Sequence, residues 1–380
     1  TYVMLQESQL YLQDIVKQLN QQKLDFVIFG GDQVEHPGPD DQNWQLFLDV
    51  LQSLSVPWSF VLGEQDVSGS RPVDKMHTYG PDWKGKGIET ETPYWSQSPL
   101  PGVHLIGLDT SNPNSTAGEI SPEQLEWLKN DLKKNARRFT IVFSHHPLLP
   151  PPPFDGGPPW DQYITAQGAS AREILGSSKY VRLALSGHVH MTKLEKEGEI
   201  WYVSNPSLGV FPCAFRLFHV TPDEITIETY TVQFPALIKK ARQLFATSPL
   251  AYKYNERKPD TYCALADGDH LDWSCRIPLA QGGQPEPIKV VHKKKHEAQP
   301  TTTASEEPHK RGFHFREKRA PAAEKAGAPE RKKGDKAKVL PPDKSVKTAA
   351  PVNNKAPTTE VPDKDLQPIG SDASGGDTTK

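Results

Sequence analysis

The chain has 380 residues, and its 44 Lys and Arg against 47 Asp and Glu give a formal net charge of −3. Three cysteines are too few for a disulfide-stapled scaffold or a four-cysteine zinc site. We expect free buried thiols, with pairing of Cys263 and Cys275 as the alternative. No run of about 18 apolar residues occurs, so the sequence predicts no membrane-spanning helix.

Strand and helix patterns alternate along the first 235 residues, which is typical of an α/β domain. Apolar residues at helical spacing predict helices over residues 5–19 and 42–54. Ser121 begins a capping box, with Pro122 at the first helical position and Gln124 three residues after Ser121. The predicted strands, in chain order, are residues 25–29, 58–62, 103–108, 140–143, 181–185, 199–203, 215–220 and 224–232. The strand-rich end of this stretch predicts a second sheet packed on the first.

The chain divides by composition into three predicted regions. We expect a domain over residues 1–235, an appended segment over 236–285 with one helix and otherwise irregular chain, and a tail over 286–380. The tail has 20 basic, 14 acidic and two aromatic residues, whereas residues 1–285 have 24 basic and 33 acidic residues. So little apolar surface cannot offset the entropy of ordering, and the pattern predicts a disordered, basic, Pro-, Ala- and Lys-rich tail. Such a tail can contact an anionic surface, although a solvated tail is the more common case.

Four polar clusters follow predicted strands, where open α/β sheets place their ligands. Carboxylate oxygens and neutral imidazole nitrogens suit Mn, Fe, Zn or a similar divalent ion. Each cluster alone has an ordinary explanation as a turn or a surface loop. The clusters are Gly30-Gly31-Asp32, Gly63-Glu64-Gln65-Asp66, His145-His146-Pro147 and Gly187-His188-Val189-His190.

The four clusters, in this order, resemble the motifs of the calcineurin-like metallophosphoesterase superfamily. Residues 25–232 are most similar to its single-domain branch, which includes the class III cyclic nucleotide phosphodiesterases. Leu108-Asp109-Thr110 and the helix start that runs from Gly118 to Leu128 add to the match. The resemblance implies a two-sheet β-sandwich flanked by helices, with two divalent metal ions of the Mn, Fe or Zn type in a cleft at the strand ends.

The resemblance also implies roles for individual ligands. Asp32 would bridge both ions, His145 and His188 would bind the second ion, and His190 would bind the first. The family completes the first site with an Asp-x-His pair on an earlier strand, and no Asp-x-His precedes Asp32 here. We favour a chain that lacks its first strand. The alternative is a degenerate first site, which would leave a single metal ion.

The second cluster departs from the family pattern, which reads Gly-Asn-His-Asp/Glu at this place. Glu64 replaces a neutral ligand with a charged one, which should tighten metal binding and lower the electrophilicity of the site. Gln65 replaces the proton-donating His and cannot transfer a proton, a loss that typically costs about 10²–10⁴-fold in rate. Asp66 would orient its neighbourhood, although its usual partner is gone. We therefore expect an activity that is reduced or restricted to certain substrates.

Three further residues are candidates for substrate contact. His146 could contact the phosphate, although a position behind the ligands or at the rim is favoured. Residues 150–160 follow the His-His-Pro cluster and should overhang the cleft, so Phe154 and Trp160 could stack on an apolar part of the substrate. Packing of this loop onto the domain explains the two aromatic residues equally well.

The first function hypothesis is metal-dependent hydrolysis of a small-molecule or polymer phosphate ester, either a monoester or a diester. In the mechanism that the resemblance implies, a hydroxide held between the metals attacks phosphorus in line. The second hypothesis is a degenerate, non-catalytic metal-binding or interaction protein that retains the fold. The third makes the tail the functional part, as a tether to an anionic surface. With no targeting segment in view, the expected compartment is the cytoplasm.

Overall fold

The computed structural model describes residues 2–35, 42–68, 75, 91–280 and 283–288. By contacts the chain divides into a unit of residues 1–296 and a unit of residues 297–380, and the second lies outside the described residues. The strands are β1 Val27–Phe29, β2 Trp58–Phe60, β3 Trp95–Gln97, β4 Val103–Leu108, β5 Phe139–Ser144, β6 Val181–Ser186, β7 Lys193–Glu197, β8 Ile200–Ser204, β9 Ala214–Val220, β10 Glu224–Thr231 and β11 Cys275–Pro278. The α-helices are α1 Ser8–Leu19, α2 Gln42–Leu51, α3 Pro122–Lys134, α4 Gly168–Gly176, α5 Pro235–Ala246, α6 Pro249–Tyr254, α7 Tyr262–Asp267 and α8 His270–Trp273.

The strands form two layers with helices on both outer faces. One layer is a six-stranded sheet in the order β3-β4-β5-β6-β8-β7, and the other holds the parallel pair β1-β2 and the antiparallel sheet β11-β10-β9. Apolar side chains of both layers, such as Leu183 and Ile227, share one core. Helices α3 and α4 cover the outer face of the six-stranded sheet through residues such as Leu128 and Leu175. The predicted two-sheet sandwich flanked by helices is confirmed.

Helices α1, α2 and α5 lie on the face of the sandwich opposite α3 and α4. Val16 of α1 packs with Phe47 of α2 and Phe60 of β2 in one cluster. Ile15 of α1 packs with Phe245 of α5 in another. Helix α1 therefore presents two adjacent apolar stripes, as its predicted amphipathic pattern requires. None of the described helices is long and apolar enough to cross a bilayer.

Several predicted elements are confirmed nearly to the residue. The third predicted strand matches β4, and Ser121 is the N-cap of α3, its side chain accepting a hydrogen bond from the N–H of Gln124. The three cysteines are free and buried. Strands β3 and β7 and helix α4 were not predicted. Strand β7 is a charged edge strand of which only Leu194 is buried, and α4 begins and ends at a glycine without a side-chain cap.

The expectation of irregular chain after the helix near residue 245 is wrong. Helices α6, α7 and α8 follow, and β11 pairs with β10 to complete the antiparallel sheet β11-β10-β9. The N–H of Arg276 then donates to the carbonyl of Glu286, and the N–H of Glu286 donates back, each at 2.8 Å. The segment is thus built into the sandwich. The remainder of the predicted tail, from residue 289, lies outside the described residues.

Strands β1 and β9 each have one strand neighbour among the described residues, β2 and β10 respectively. The core between the layers partly buries Ile28 of β1, Phe26 just before it, and Phe218 and Val220 of β9. Each strand therefore leaves one edge without a strand partner in the part of the chain that is described. The first strand that the sequence analysis expects before α1 stays a prediction.

A buried polar network ties β4 to α3. Nε2 of His104 lies 2.6 Å from Oδ2 of Asp131, whose Oδ1 accepts a hydrogen bond from the Ser96 hydroxyl at 2.7 Å. Burial alone would raise the pKa of the Asp131 carboxyl, but the hydrogen bonds from His104 and Ser96 outweigh it and lower that pKa below its ordinary value of 3.8. The carboxylate therefore contributes stability above about pH 4, which is lost as the pH falls through the lowered pKa.

We expect Asp131→Ala to lower the free energy of unfolding by about 2–4 kcal/mol, because it leaves the buried His104 and the Ser96 hydroxyl without their shared acceptor. Urea unfolding at pH 7 measures the change. The matched control is Glu126→Ala on the same helix, where the pair with Lys129 is more than half exposed and should change stability by less than about 1 kcal/mol. Equal effects of the two substitutions would contradict the assignment.

Candidate metal centre

The four polar clusters meet at the C-terminal ends of β1, β2, β5 and β6. One ligand atom from each of Asp32, Glu64, His145 and His188 lies within 4.8 Å of the others. The strands belong to both layers of the sandwich, so the cluster lies where the two layers open. Strand-end placement is what the sequence predicts for the four motifs.

Ligand atoms in this cluster approach one another closely. Nε2 of His145 lies 3.2 Å from Oδ2 of Asp32 and 3.0 Å from Oε2 of Glu64. Nδ1 of His188 lies 3.2 Å from the same Glu64 oxygen. Oε2 of Glu64 and Nε2 of His188 are buried and make no hydrogen bond. Buried ligand atoms without hydrogen bonds, of carboxylate and imidazole type, fit a divalent cation.

The orientation of His145 is fixed by the backbone. Its Nδ1 lies 2.8 Å from the carbonyl oxygen of Gly30, which can only accept, so Nδ1 carries the proton. Nε2, which faces the carboxylates, is then the free ligand nitrogen. A Cβ at Gly31 would lie 2.2 Å from Nδ1 of His145, and a Cβ at Gly63 would lie 2.0 Å from Oδ1 of Asp32. Only glycine allows these loops to come so close to the ligands.

Three of the candidate ligands have backbone conformations that are rare for residues with a side chain. Asp32, His188 and His190 have φ angles of 56°, 59° and 53°. This left-handed region is disfavoured for non-glycine residues, and such strain persists where the surrounding structure imposes it. The curl between His188 and His190, which the sequence requires if both are to approach one centre, is therefore present in the backbone.

Asp66 joins the two loops that carry Asp32 and Glu64. Its fully buried carboxylate accepts hydrogen bonds from the backbone N–H groups of Asp32, Gly63 and Val34 at 2.8, 2.9 and 3.1 Å. The N–H of Gln65 donates to Oδ1 of Asp32 at 2.9 Å, which closes the connection. Asp66 thus contacts backbone of both loops, without the His partner that the family pattern supplies.

The charges of the cluster favour a cation. Burial lowers the pKa of His145, but Asp32 and Glu64 raise it more, and the net pKa lies well above its usual value. Burial raises the pKa of Glu64, but His188 and His145 lower it more, and the net pKa lies far below its usual value. Carboxylates that hold a proton on a buried imidazole create a negative potential, and the same potential attracts a metal ion.

The other predicted site residues lie around this cluster. His190 is outside the group of four, and its ring makes an edge contact with Tyr2 at 6.3 Å. Burial, and then the neighbouring His188, lower the pKa of His190 to about 4. His146 is fully buried, with Nε2 3.6 Å from Oε2 of Glu64 and Nδ1 3.0 Å from the Thr110 hydroxyl. Burial, His188 and His145 lower its pKa well below the usual value, so its ring is neutral.

Gln65 contacts the cluster directly, whereas Trp160 packs on other aromatic residues. The Gln65 amide donates to Oε1 of Glu64 at 3.3 Å. Trp160 packs its ring on Tyr262 of α7 at 6.3 Å, and Phe154 is only 1% exposed. The two aromatic residues of the overhang are therefore occupied by packing, and contact of Trp160 with a substrate stays a prediction. Tyr163 was not predicted from the sequence, and its ring lies 6.2 Å from that of His188.

The fold and this cluster define an α/β sandwich with a candidate metal centre, and comparison with known proteins gives the family. Residues 7–192 match the calcineurin-like phosphoesterase family. The chain therefore carries a domain of that family, as the motifs predict.

Curated relatives of this chain are phosphodiesterases. A probable cyclic nucleotide phosphodiesterase of Synechococcus sp. is 24% identical over 211 residues, 54% of this chain and 75% of that protein. A cAMP/cGMP dual specificity phosphodiesterase of Mycobacterium tuberculosis is 31% identical over 191 residues, 47% of this chain and 53% of that protein. A probable glycerophosphodiester phosphodiesterase of Arcobacter nitrofigilis is 27% identical over 169 residues, 44% of this chain and 57% of that protein. The chain thus spans three quarters of the first relative and little more than half of the other two.

Among solved structures, this chain is similar to a dimetal phosphatase from Danio rerio. The matched region covers 59% of this chain and 86% of the phosphatase chain. The TM-score is 0.46 and the sequence identity 16%. This likeness adds nothing to the assignment, which depends on the family match and on the geometry of the cluster.

We expect Asp66→Asn to weaken Mn²⁺ binding by about 10–100-fold, as is typical when a residue that supports metal ligands is changed. All three partners of the carboxylate are N–H donors, so an amide would turn its own NH₂ group toward at least one of them. Calorimetric titration with Mn²⁺ measures the affinity. Asp49→Asn, on the exposed face of α2, is the control and should leave the affinity unchanged. Full affinity in Asp66→Asn would show that the loops hold their places without this carboxylate.

Proposed function

We propose that this protein hydrolyses a phosphate ester with the help of a divalent metal ion held by Asp32, Glu64, His145 and His188. The observation that carries the proposal is the convergence of these four ligands, two carboxylates and two imidazoles, on one point in a domain of the phosphoesterase family. A cation bound there would act as a Lewis acid toward the phosphoryl oxygens and lower the pKa of a coordinated water.

The residues of the chain have distinct parts in this proposal. Asp32 and Glu64 provide the negative charge, and His145 is oriented by its hydrogen bond to the Gly30 carbonyl. His190 lies apart from the four, and we assign it with Asp32 to a first metal position, as in the family pattern. The two further ligands of that position are absent from the described residues. Two ions are therefore proposed, or one if the first position stays incomplete.

The substrate is proposed as a phosphodiester rather than a monoester, because the named relatives are phosphodiesterases. The identity of the ester is left at this class. The alternative, a non-catalytic protein that binds metal, is favoured by Gln65, which offers an amide where the family has a proton donor. Neutral, buried His146 stands behind Glu64, where it can hold the carboxylate but is not open to a substrate.

We expect Mn²⁺-dependent hydrolysis of bis(p-nitrophenyl) phosphate by the wild-type protein, with loss to background in Asp32→Asn and in His145→Ala. Each substitution removes a ligand from the buried cluster. The control is His219→Ala, because His219 lies exposed on β9 and pairs with Glu228, away from the cluster. Release of p-nitrophenol is the measurement. Stoichiometric Mn²⁺ binding together with background hydrolysis would establish the non-catalytic alternative.

Gln65→His should restore a proton donor to the leaving oxygen. We expect the rate for an ester with an alkyl leaving group to rise, by up to about 10²-fold, while the rate for a p-nitrophenyl ester changes little because its leaving group needs no proton. The comparison of the two rates across pH measures the effect. Gln65→Asn keeps an amide and serves as the control. Equal changes for both esters would argue that residue 65 does not act on the leaving group.

A further inference from the structure

The loop that follows the His-His-Pro cluster is braced by the segment after residue 235. Phe154 is buried, and the Trp160 ring meets it edge-on at 5.3 Å. The Trp160 ring also stacks on Tyr262 of α7, with 6.3 Å between the ring centroids and 23° between the ring planes. Tyr262 stacks in turn on Phe245 of α5, at 5.1 Å and 22°. A continuous aromatic stack thus connects the overhang to the helices that follow the sandwich.

Tyr163 is the aromatic residue that this brace presents to the metal centre. It ends the short 3₁₀ turn Asp161–Tyr163, is half-buried, and lies 6.2 Å from the His188 ring at 39°. The ammonium group of Lys253 on α6 lies 5.7 Å from the Tyr163 ring and 5.7 Å from the Trp160 ring. Cation–π contact of this kind holds an aromatic ring in place. The Tyr163 ring therefore contacts both His188 of the cluster and the ammonium group of Lys253.

We infer that Tyr163 is a specificity-determining residue of this site, which contacts the organic group of the ester while Trp160 and Lys253 position its ring. This inference rests on the proposed function, because the phosphate must lie at the cluster for the organic group to reach Tyr163. The ligand class is a phosphate ester with a planar aromatic group. A ring that is already held in place loses little freedom when a ligand stacks on it, so the contact favours a planar group over an alkyl group.

Trp160 is not the residue that contacts the organic group of the ester. Both rings contact Phe154 and Lys253. Trp160 also stacks on Tyr262, whereas the ring of Tyr163 lies 6.2 Å from that of His188. The role of the segment after residue 235, for which the sequence gives no function, is then to hold one wall of the cleft.

The test uses two non-hydrolysable ligands with the same charged head group, phenylphosphonate and methylphosphonate. Their binding to the Mn²⁺-loaded full chain is measured by calorimetry, so that the readout does not depend on turnover. We expect the wild-type protein to prefer phenylphosphonate, and Tyr163→Leu to reduce that preference by about 5- to 100-fold while methylphosphonate binding is unchanged. Tyr163→Phe keeps the ring and should keep the preference. Lys253→Met should lower the preference by a smaller factor.

The matched control is Tyr180→Leu, because Tyr180 is also a half-buried tyrosine under a lysine, with Lys179 at 5.3 Å, and it precedes the N-terminal end of β6, whereas the cluster lies at the C-terminal strand ends. An unchanged preference in Tyr163→Leu, or a wild-type protein that binds both phosphonates equally, would overturn the inference and leave the proposed function intact. A Mn²⁺-loaded wild-type protein that binds neither ligand would count against the proposed function, and the inference would fall with it.

Discussion

Two carboxylates and three imidazoles lie together at the strand ends, largely removed from water, and the rest of the domain has to hold them there. Charged groups removed from water are costly unless a partner of opposite charge lies close by. Here Asp32 and Glu64 share His145, and one oxygen of Glu64 lies within reach of three imidazoles without a hydrogen bond to any of them. Oε2 of Glu64 has no hydrogen bond in this arrangement, which is why a divalent cation suits the cluster better than the protein groups suit one another.

The position of that cluster depends on the packing between the two layers. Asp32 and Glu64 follow strands of the β1-β2 pair, and His145 and His188 follow strands of the six-stranded sheet. Distances of about 3 Å between their ligand atoms therefore require that the apolar core between the layers be well packed. Within one layer, Asp66 binds backbone N–H groups of both loops and makes them one unit. The left-handed backbone at Asp32 and His188 is the conformational cost of directing two candidate ligands from sharp turns toward one place, and His190 beside them shares that conformation.

The sequence predicts the parts of this arrangement that depend on local pattern. Strands such as β4 and β6 are apolar and bounded by turns, so their positions follow from composition, and the rule that ligands gather at strand ends places Asp32, Glu64, His145 and His188 together. Strand β7 could not be predicted, because an edge strand that is charged along most of its length lacks the apolar signal. Tyr163 could not be found either, since its place beside His188 depends on a stack that joins Trp160 to residues about a hundred positions later. Packing between distant segments leaves no period in the sequence.

The two departures from the family pattern act in the same direction once the proposed function and Tyr163 are considered together. Glu64 adds negative charge to the cluster, which favours tight binding of the cation but makes the metal a weaker electrophile. Gln65 provides no proton to the leaving oxygen, so the site is best matched to an ester whose leaving group is stable as an anion. Aryl oxygens meet that requirement because the ring delocalises the charge. The same ring is planar, and it is the kind of group that a braced aromatic side chain beside His188 would retain. Under the proposed function, Gln65 and Tyr163 therefore favour the same class of substrate, an ester of an aromatic alcohol.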